Sequence, residues 1–240
     1  MKIVAVIPAR WGSTRFPGKP LAMIAGRPMI EHCWRAAVAA TAIDAVLVAT
    51  DDARIAEAVE GFGGEPILTR DDHPSGSDRL AEVAERVPAD AYVNLQGDEP
   101  LVRPADLSAL AGLMRAEPGV SVATLCHAID AAEAANPNRV KLVCDASGDA
   151  LYFSRSPIPY PRDAAAARYL QHVGVYAYRR DVLRAFPTLP RPMEELAESL
   201  EQLRLLAAGH RIRAIEVAPT GPGVDTPEDL VHVAGLMAGG

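Results

Sequence analysis

Short runs of β-branched residues alternate with longer segments rich in Ala, Leu and Glu, and this alternation restricts the fold more than any other feature of the sequence. Short apolar runs predict strands, and apolar residues at helical spacing predict helices. The predicted strands are Lys2 to Pro8, Ala45 to Thr50, Glu65 to Leu68, Ala91 to Leu95, Val120 to Cys126, Lys141 to Cys144 and Gly174 to Tyr178. The predicted helices are Met29 to Ala40, Asp52 to Phe62, Ser77 to Arg86, Pro104 to Glu117 and Glu194 to Ala208.

Such alternation is typical of an α/β fold, in which a mostly parallel sheet is flanked by helices. The chain has 240 residues, so we expect a single domain, residues 1–240, with a small protruding subregion. The string "TPED", Thr226 to Asp229, predicts the start of a terminal helix because it combines an N-cap, a proline and two acids. The string "RDAAAAR", Arg162 to Arg168, fits either a short helix or a mobile loop.

Composition argues against several classes of function. Charged residues make up 23% of the chain and the net charge is −7, which disfavours a general affinity for nucleic acid or anionic membrane. No apolar run approaches the roughly 20 residues that span a bilayer, and the chain opens on a strand rather than a cationic leader, so we expect a cytoplasmic location. Cys33, Cys126 and Cys144 are widely spaced and form no CxxC pair, so we interpret them as reduced thiols.

The loop after the first predicted strand, "IPARWGSTRFPGKPL", carries three cations among glycines and hydroxyls: Arg10, Arg15 and Lys19. Ligands of open α/β sheets bind beyond the carboxyl ends of the strands, so this loop is expected to face the ligand crevice. Its backbone N–H groups and cations suit a phosphate, and a triphosphate in particular. The loop matches neither GxxxxGK[ST] nor GxGxxG, which argues against a P-loop or a dinucleotide fold, and a solvated surface loop is the alternative.

Two acidic turns are candidates for a metal site. "VNLQGDEPL" places Asp98 at the end of an apolar strand, and "GPGVDTPEDL" places Asp225 just before the terminal helix. Carboxylates at such positions can hold Mg²⁺, which prefers oxygen ligands and bridges phosphates. The alternatives are a solvated turn at Asp98 and a helix cap at Asp225, unless Thr226 is the cap.

Nine strings, in order, resemble the 3-deoxy-D-manno-octulosonate (KDO) cytidylyltransferase family, also called CMP-KDO synthetases. They are "IPARWGSTRFPGKPL", "ATDDARI", "HPSGSDRLAEV", "VNLQGDEPL", "NPNRVKLV", "ALYFSRSPIPYPR", "HVGVYAYR", "LEQLRLLAAG" and "GVDTPEDL". The resemblance implies a nucleotide-diphospho-sugar transferase-like fold with a small protruding dimerisation subregion. It also implies a homodimer that uses CTP and Mg²⁺ to convert KDO into CMP-KDO and pyrophosphate for lipopolysaccharide biosynthesis.

The resemblance also implies roles for individual residues. The catalytic set is Lys19, Arg10 and Asp98, and the metal ligands are Asp98 and Asp225. The nucleotide-binding set is Arg10, Ser13, Arg15, Lys19, Ser75, Gly76, Ser77, Arg79 and Gln96. The sugar-binding set is Arg155, Arg162, His172, Tyr176, Glu201 and Gln202. Structural alternatives remain for Ser77 as a helix cap, His172 as a buried histidine and Glu201 as a solvated helix residue.

Two departures from the family pattern lie on the sugar side. The Ala-rich segment between Arg162 and His172 is shorter than in many relatives, and Gln171 stands where a cation is often found. Whether residues 163–168 form a mobile lid stays open. The alternative functions are a cytidylyltransferase for a related acidic sugar, such as an amino-KDO or a sialic-type acid, and a nucleotide-binding protein without turnover.

Overall fold

The computed structural model describes residues 1–12, 16–163 and 165–238 of the chain. The strands are β1 Ile3–Ala9, β2 Met23–Ile24, β3 Arg27–Pro28, β4 Ala45–Thr50, β5 Glu65–Leu68, β6 Ala91–Asn94, β7 Val122–Ile129, β8 Lys141–Cys144, β9 Ala150–Ser154, β10 Tyr169–Arg179 and β11 Ile212–Glu216. The α-helices are α1 Met29–Val38, α2 Ala53–Gly61, α3 Gly76–Arg86, α4 Pro104–Ala116, α5 Ala131–Ala134, α6 Arg180–Ala185, α7 Met193–Glu198, α8 Gln202–Ala207 and α9 Pro227–Ala238. Short 3₁₀ turns lie at Lys19–Leu21 and Phe186–Thr188.

The main sheet confirms the predicted α/β class. Its strand order is β11-β7-β10-β6-β1-β4-β5, with β8 and β9 attached beside β10. The pairs β1–β4, β1–β6, β4–β5 and β7–β11 are parallel, whereas β10 runs antiparallel to both β6 and β7. The sheet is therefore mostly parallel along this path, with β10 as the reversed strand.

Strand β1 lies at the centre of the sheet and is buried on both faces. Ile3, Ala5 and Ile7 belong to the apolar cluster on one face, and Val4 and Val6 belong to the cluster on the other. This explains the continuous apolar run at the start of the sequence, because a parallel strand covered on both sides needs no polar face. The chain leaves β1 at Ala9 and enters the cationic loop at the carboxyl edge of the sheet.

The structure corrects several predicted elements. The helix predicted over Glu194 to Ala208 is wrong: α7 and α8 are separate, and Ser199 between them has a left-handed φ of 51°. Strands β9 and β11 and helix α6 were not predicted. In Arg162 to Arg168, the described residues form bends and turns without a helix. Within the described ranges, no helix is long and apolar enough to cross a membrane.

Candidate functional site

Two cavities lie at the carboxyl edge of the sheet. The first has a volume of about 210 Å³ and is lined by the loop after β1, the start of α3, and the loop after β6. Because β1 and β6 are adjacent parallel strands, their carboxyl ends bring these loops together. The residues that line the first cavity are Pro8, Ala9, Arg10, Lys19, Pro20, His73, Ser75, Gly76, Arg79, Gln96, Gly97, Asp98 and Asp225.

The ammonium group of Lys19 is the central charge of this cavity. Its Nζ lies 2.7 Å from Asp98 Oδ2 and 3.5 Å from Asp225 Oδ1. It also donates a hydrogen bond of 2.9 Å to the carbonyl of Val224. The two acidic turns that the sequence singled out, separated by more than half of the chain, therefore meet at one cation.

Main-chain contacts hold the two acidic turns against each other. The amide of Val224 donates to the carbonyl of Asp98 at 2.9 Å. A Cβ on Gly97 would lie 3.0 Å from the carbonyl of Pro8, so glycine allows the turn after β6 to approach the end of β1. The hydroxyl of Thr226 accepts from the amide of Asp229 at 3.2 Å, so Thr226 caps the terminal helix.

Glu99 lies beside these aspartates but differs from them in its electrostatics. The pKa of Glu99 is raised to about 8, first by burial and then by the charges of Asp98 and Asp225, against an opposing decrease from Lys19. A carboxyl group with this pKa is mostly protonated at neutral pH. The negative charge of the turn is therefore kept to fewer groups than its sequence suggests.

The cationic loop is closed at its base by Trp11 and Gly18. The amide of Gly18 donates to the carbonyl of Trp11 at 3.1 Å. Gly18 has a φ of +70°, and a Cβ there would lie 3.0 Å from the Trp11 ring. Arg54 stacks on the Trp11 ring, with its Cζ 3.3 Å from the ring centroid, and forms an ion pair with Asp52 at 2.6 Å.

The predicted residues of this loop have different outcomes. Arg10 lines the first cavity and is exposed, whereas Ser13 and Arg15 lie outside the described residues.

The predicted base segment "SGSDR" forms the start of α3. Ser75 is the N-cap, because its hydroxyl accepts from the amide of Asp78 at 3.2 Å, and Ser75 and Gly76 line the first cavity. Ser77 was the alternative cap in the sequence, but its hydroxyl instead donates to Glu201 Oε1 at 2.7 Å. Arg79 lines the cavity while its guanidinium donates to Asp51 Oδ2 at 2.8 Å.

Two further polar residues complete the wall of the first cavity. Gln96 lines it and donates from Nε2 to Asn94 Oδ1 at 3.0 Å. His73 was not predicted; its Nε2 lies 2.6 Å from Glu82 Oε2, and the imidazole is buried. The string "HPSGSDR" contained His73, but nothing in its spacing distinguished this histidine from an ordinary loop residue.

The second cavity, of about 960 Å³, shares Asp98 and Asp225 with the first. Its wall also includes Arg155 and His172 from the predicted sugar-binding set. Other polar residues that line it are Glu99, His127, Glu133, Asn136, Asn138, Arg139, Gln171, Thr220, Thr226, Asp229 and His232. The carboxylate pair therefore stands where the two cavities meet.

The remaining residues of the predicted sugar-binding set lie outside this cavity. Arg162 is exposed in the loop before β10. Tyr176 is buried on β10, and its ring centroid lies 5.5 Å from that of Tyr178. Glu201 contacts Ser77, burial raises its pKa, and Gln202 is buried in α8. The structure thus brings Arg155 and His172 together with the carboxylates and leaves these four apart.

His172 reaches the second cavity from β10. Burial lowers the pKa of His172 to about 3, so the imidazole is neutral at physiological pH. Its Nε2 lies 3.1 Å from Thr124 Oγ1, and its ring lies edge-on to Phe153 at a centroid distance of 5.2 Å. A neutral, fixed imidazole can hydrogen-bond a hydroxyl group but cannot supply a cation.

Comparison with known proteins identifies close relatives. A family model described as Cytidylyltransferase matches residues 4–212. The chain is 61% identical to the 3-deoxy-manno-octulosonate cytidylyltransferase of Escherichia coli, over 99% of this chain and 96% of that protein. It is 50% identical to the Geobacter sulfurreducens protein of the same name, over 97% and 98% of the two chains.

Solved structures give a consistent result. The structure of CMP:2-keto-3-deoxy-manno-octonic acid synthetase complexed with CTP matches with a TM-score of 0.98 and 60% identity, over 99% of both chains. A 4-diphosphocytidyl-2C-methyl-D-erythritol synthase from Anaerococcus prevotii matches with a TM-score of 0.65 at 12% identity, over 99% and 96% of the two chains. The second match concerns the fold alone.

We predict that Gly18→Ala weakens binding of a nucleoside triphosphate because it strains the base of the cationic loop. A left-handed backbone costs a residue with a Cβ about 1 to 2 kcal/mol, and the new methyl group would also meet Trp11. The expected loss of affinity, measured by isothermal titration calorimetry, is roughly 5- to 30-fold. Gly12→Ala is the matched control, since a Cβ on Gly12 meets nothing within 4 Å. Equal affinities for the two variants would contradict the prediction.

Proposed function

Because this chain belongs to the 3-deoxy-manno-octulosonate cytidylyltransferase family, we propose that it transfers a cytidylyl group from CTP to KDO, which yields CMP-KDO and pyrophosphate. The match over nearly the whole of both chains supports this activity. The single structural observation that carries the proposal is that two cavities share the Asp98 and Asp225 carboxylates. A transferase that joins two substrates needs two adjoining sites with its charged groups at the junction.

The first cavity is proposed to bind CTP. Lys19 and Arg10 line it at the end of the central strand, where the triphosphate of a nucleotide would be expected. Ser75, Gly76, Arg79 and Gln96 line the same cavity and are proposed to face the nucleoside. Ser77, whose hydroxyl is bonded to Glu201, is proposed to act by fixing the start of α3. Ser13 and Arg15 remain predictions of the family pattern.

The carboxylate pair fits a Mg²⁺ site. Asp98 and Asp225 offer hard oxygen ligands close to the same ammonium group. In the described part of the chain, no cluster of three or more His, Cys, Asp or Glu side chains is arranged to hold a metal. Mg²⁺ usually takes one or two carboxylates and completes its shell with water and substrate phosphates, so two aspartates suffice. When bound, the ion would polarise the α-phosphate and lower the pKa of the attacking hydroxyl.

The chain's own groups then act by position and charge. Lys19 and Arg10 would offset the negative charge of the triphosphate and of the departing pyrophosphate. The acceptor hydroxyl attacks the α-phosphorus in line from the second cavity, so alignment of the two substrates is the main requirement. Neutral His172 would hydrogen-bond an acceptor hydroxyl and hold its orientation.

The second cavity is proposed to bind the sugar acid. Arg155 and His172 line it, and both belong to the predicted sugar-binding set. Arg162, Tyr176, Glu201 and Gln202 remain members of that set by resemblance. Arg162 lies in an exposed loop, from which it would have to approach. Tyr176 would act through its ring contact with His172 and Glu201 through its hydrogen bond with Ser77, while Gln202 is buried in α8.

We further propose a cytoplasmic homodimer that acts in lipopolysaccharide biosynthesis, with residues 1–240 as one nucleotidyltransferase domain. One sheet that extends from Ile3 to Glu216 supports the single domain. Cys33, Cys126 and Cys144 are free thiols, as a reducing compartment favours. Exposed apolar side chains on the β8–β9 side and on α7, Leu151, Met193 and Leu196, support a dimer surface.

The proposed activity predicts a specific substrate pair. The purified protein, mixed with Mg²⁺ and one nucleoside triphosphate, is expected to release pyrophosphate with KDO present and to prefer CTP over UTP, ATP and GTP. A panel with amino-KDO and a sialic-type acid tests the acceptor. Equal turnover with ATP would overturn the assignment of the base, and turnover with a sialic-type acid but not with KDO would overturn the assignment of the acceptor.

We predict that Asp98→Asn and Asp225→Asn each leave a folded protein with at least about 100-fold lower kcat, a loss of roughly 2.7 kcal/mol of transition-state stabilisation. The amide keeps the shape of the carboxylate but loses the charge that both the metal and Lys19 need. Because both groups serve one unit, the fold-loss of kcat in the double variant should be well below the product of the two single fold-losses. Steady-state pyrophosphate release measures the rates, and thermal unfolding checks the fold. Near-normal kcat in Asp225→Asn would return Asp225 to a purely structural role.

A further inference from the structure

Arginines 139 and 155 are the cations that line the second cavity among the described residues, apart from three histidines. Five acidic residues share the same wall: Asp98, Glu99, Glu133, Asp225 and Asp229. An acceptor that carries a carboxylate needs at least one guanidinium or ammonium that can turn its donors towards it. The contacts of the two arginines show which one can do so.

The guanidinium of Arg155 is already engaged by the main chain. Its Nε donates to the carbonyl of Glu198 at 2.7 Å, and Nη1 donates to the carbonyl of Pro137 at 3.1 Å. Its Nη2 makes a longer contact of 3.5 Å with the carbonyl of Ser199. Each nitrogen of Arg155 therefore serves to join the end of β9 to neighbouring segments, and turning this group towards a ligand would break those contacts.

Arg139 is engaged through one nitrogen. Its Nη1 donates to Gln171 Oε1 at 2.8 Å and lies 3.2 Å from Glu133 Oε1. Nε and Nη2 of Arg139 donate no hydrogen bond to the described residues. The side chain is 39% exposed, so these donors are accessible from the cavity that Arg139 lines.

The backbone of Arg139 is held in place from below. Lys141 is fully buried, and its ammonium donates to the carbonyls of Asn136, Arg139 and Arg155 at 3.0, 2.6 and 2.5 Å. Gln171 lies on β10, where it pairs with Lys141 on β8 and with His127 on β7. The main chains of Arg139 and of Gln171, whose side chain orients the guanidinium, are thus fixed before any ligand arrives.

His127 adds a second polar group to the same wall. It is 3% exposed, and its Nδ1 lies 3.1 Å from the carbonyl of Ala128. Its Nε2 has no hydrogen-bond partner among the described residues. A buried polar atom without a partner is uncommon in a folded protein, so this wall is suited to a polar ligand rather than to an apolar one.

We propose that Arg139, oriented by Gln171, binds the carboxylate of the acceptor sugar acid in the second cavity. This inference rests on the proposed function and names a specificity residue for it. Arg155 then shapes the cavity through its main-chain contacts, and Arg139 supplies the charge. The Gln171 position, which lacks the cation expected there by resemblance, serves as the acceptor that aims Arg139.

The test compares KDO with its methyl ester, which lacks the negative charge. In the unsubstituted protein, kcat/KM should favour the acid strongly. Arg139→Gln should raise KM for the acid at least about tenfold, because a charge-assisted hydrogen bond is lost. The kcat/KM for the ester and the KM for CTP should change little, so the acid-to-ester ratio of kcat/KM should fall. A general structural lesion would lower kcat/KM for the acid and the ester together and leave their ratio unchanged.

Two further variants sharpen the result. Arg211→Gln removes an arginine that is 70% exposed and outside both cavities, and it should leave the ratio unchanged. The double variant Arg139→Gln with Gln171→Arg places the cation on β10 and should recover part of the preference for the acid.

The outcomes separate the inference from the activity on which it rests. A wild-type protein that releases pyrophosphate with KDO, together with an unchanged acid-to-ester ratio in Arg139→Gln, would overturn the role of Arg139 and leave the proposed function standing. Absence of turnover with KDO in the wild-type protein would overturn the proposed function and the inference with it.

Discussion

The contacts of one ammonium group with two carboxylates organise the site. Lys19 lies in the loop that follows the central strand, and Asp98 and Asp225 come from the turn after β6 and from the loop before α9. Without this cation, two carboxylates on adjoining turns would repel each other. The pKa of Glu99 beside them is raised to about 8, first by desolvation and then by the charges of Asp98 and Asp225, so a further negative charge is unfavourable here.

The same arrangement explains how a charged substrate can be accepted at little cost. In the proposed complex, a triphosphate and its metal ion would bring both signs of charge into a site that already holds both signs. Lys19 would then turn to phosphate and the carboxylates to the metal, so each group would exchange one charged partner for another. Preorganised charges of this kind stabilise a developing negative charge without reorganising at the moment of reaction. The Val224–Asp98 hydrogen bond keeps the two turns together throughout.

Much of this site could be predicted from the sequence, because it follows from chain order in a parallel sheet. The apolar run of β1 and the edge rule for α/β sheets placed Arg10, Lys19 and Asp98 on one side of the molecule. Asp225 could be proposed only as a candidate, since its approach depends on a loop hydrogen bond that leaves no pattern in the residues. Helices α7 and α8 were predicted as one, because the left-handed turn at Ser199 occurs at a residue other than glycine.

The lining of the second cavity was less predictable for a related reason. Arg155 and His172 were predicted from the resemblance, whereas Arg139 and His127 lie on neighbouring strands or loops whose pairing emerges only in three dimensions. Periodicity identifies which face of a strand is buried, but it does not identify a polar residue that becomes useful through a neighbour such as Gln171. His73 was missed because its partner Glu82 is nine residues away on the following helix.

We propose that Asp98 and Asp225 act together on one metal ion at the junction of the two cavities. The most direct measurement is the binding of Mn²⁺, as a paramagnetic substitute for Mg²⁺, to the protein with CTP, followed by water-proton relaxation. Asp98→Asn and Asp225→Asn should each weaken Mn²⁺ binding in this complex at least about tenfold, which corresponds to about 1.4 kcal/mol. Asp71 is exposed, and Asp71→Asn should leave Mn²⁺ binding unchanged. Mn²⁺ affinity that matches the unsubstituted protein in either of the first two variants would contradict the claim.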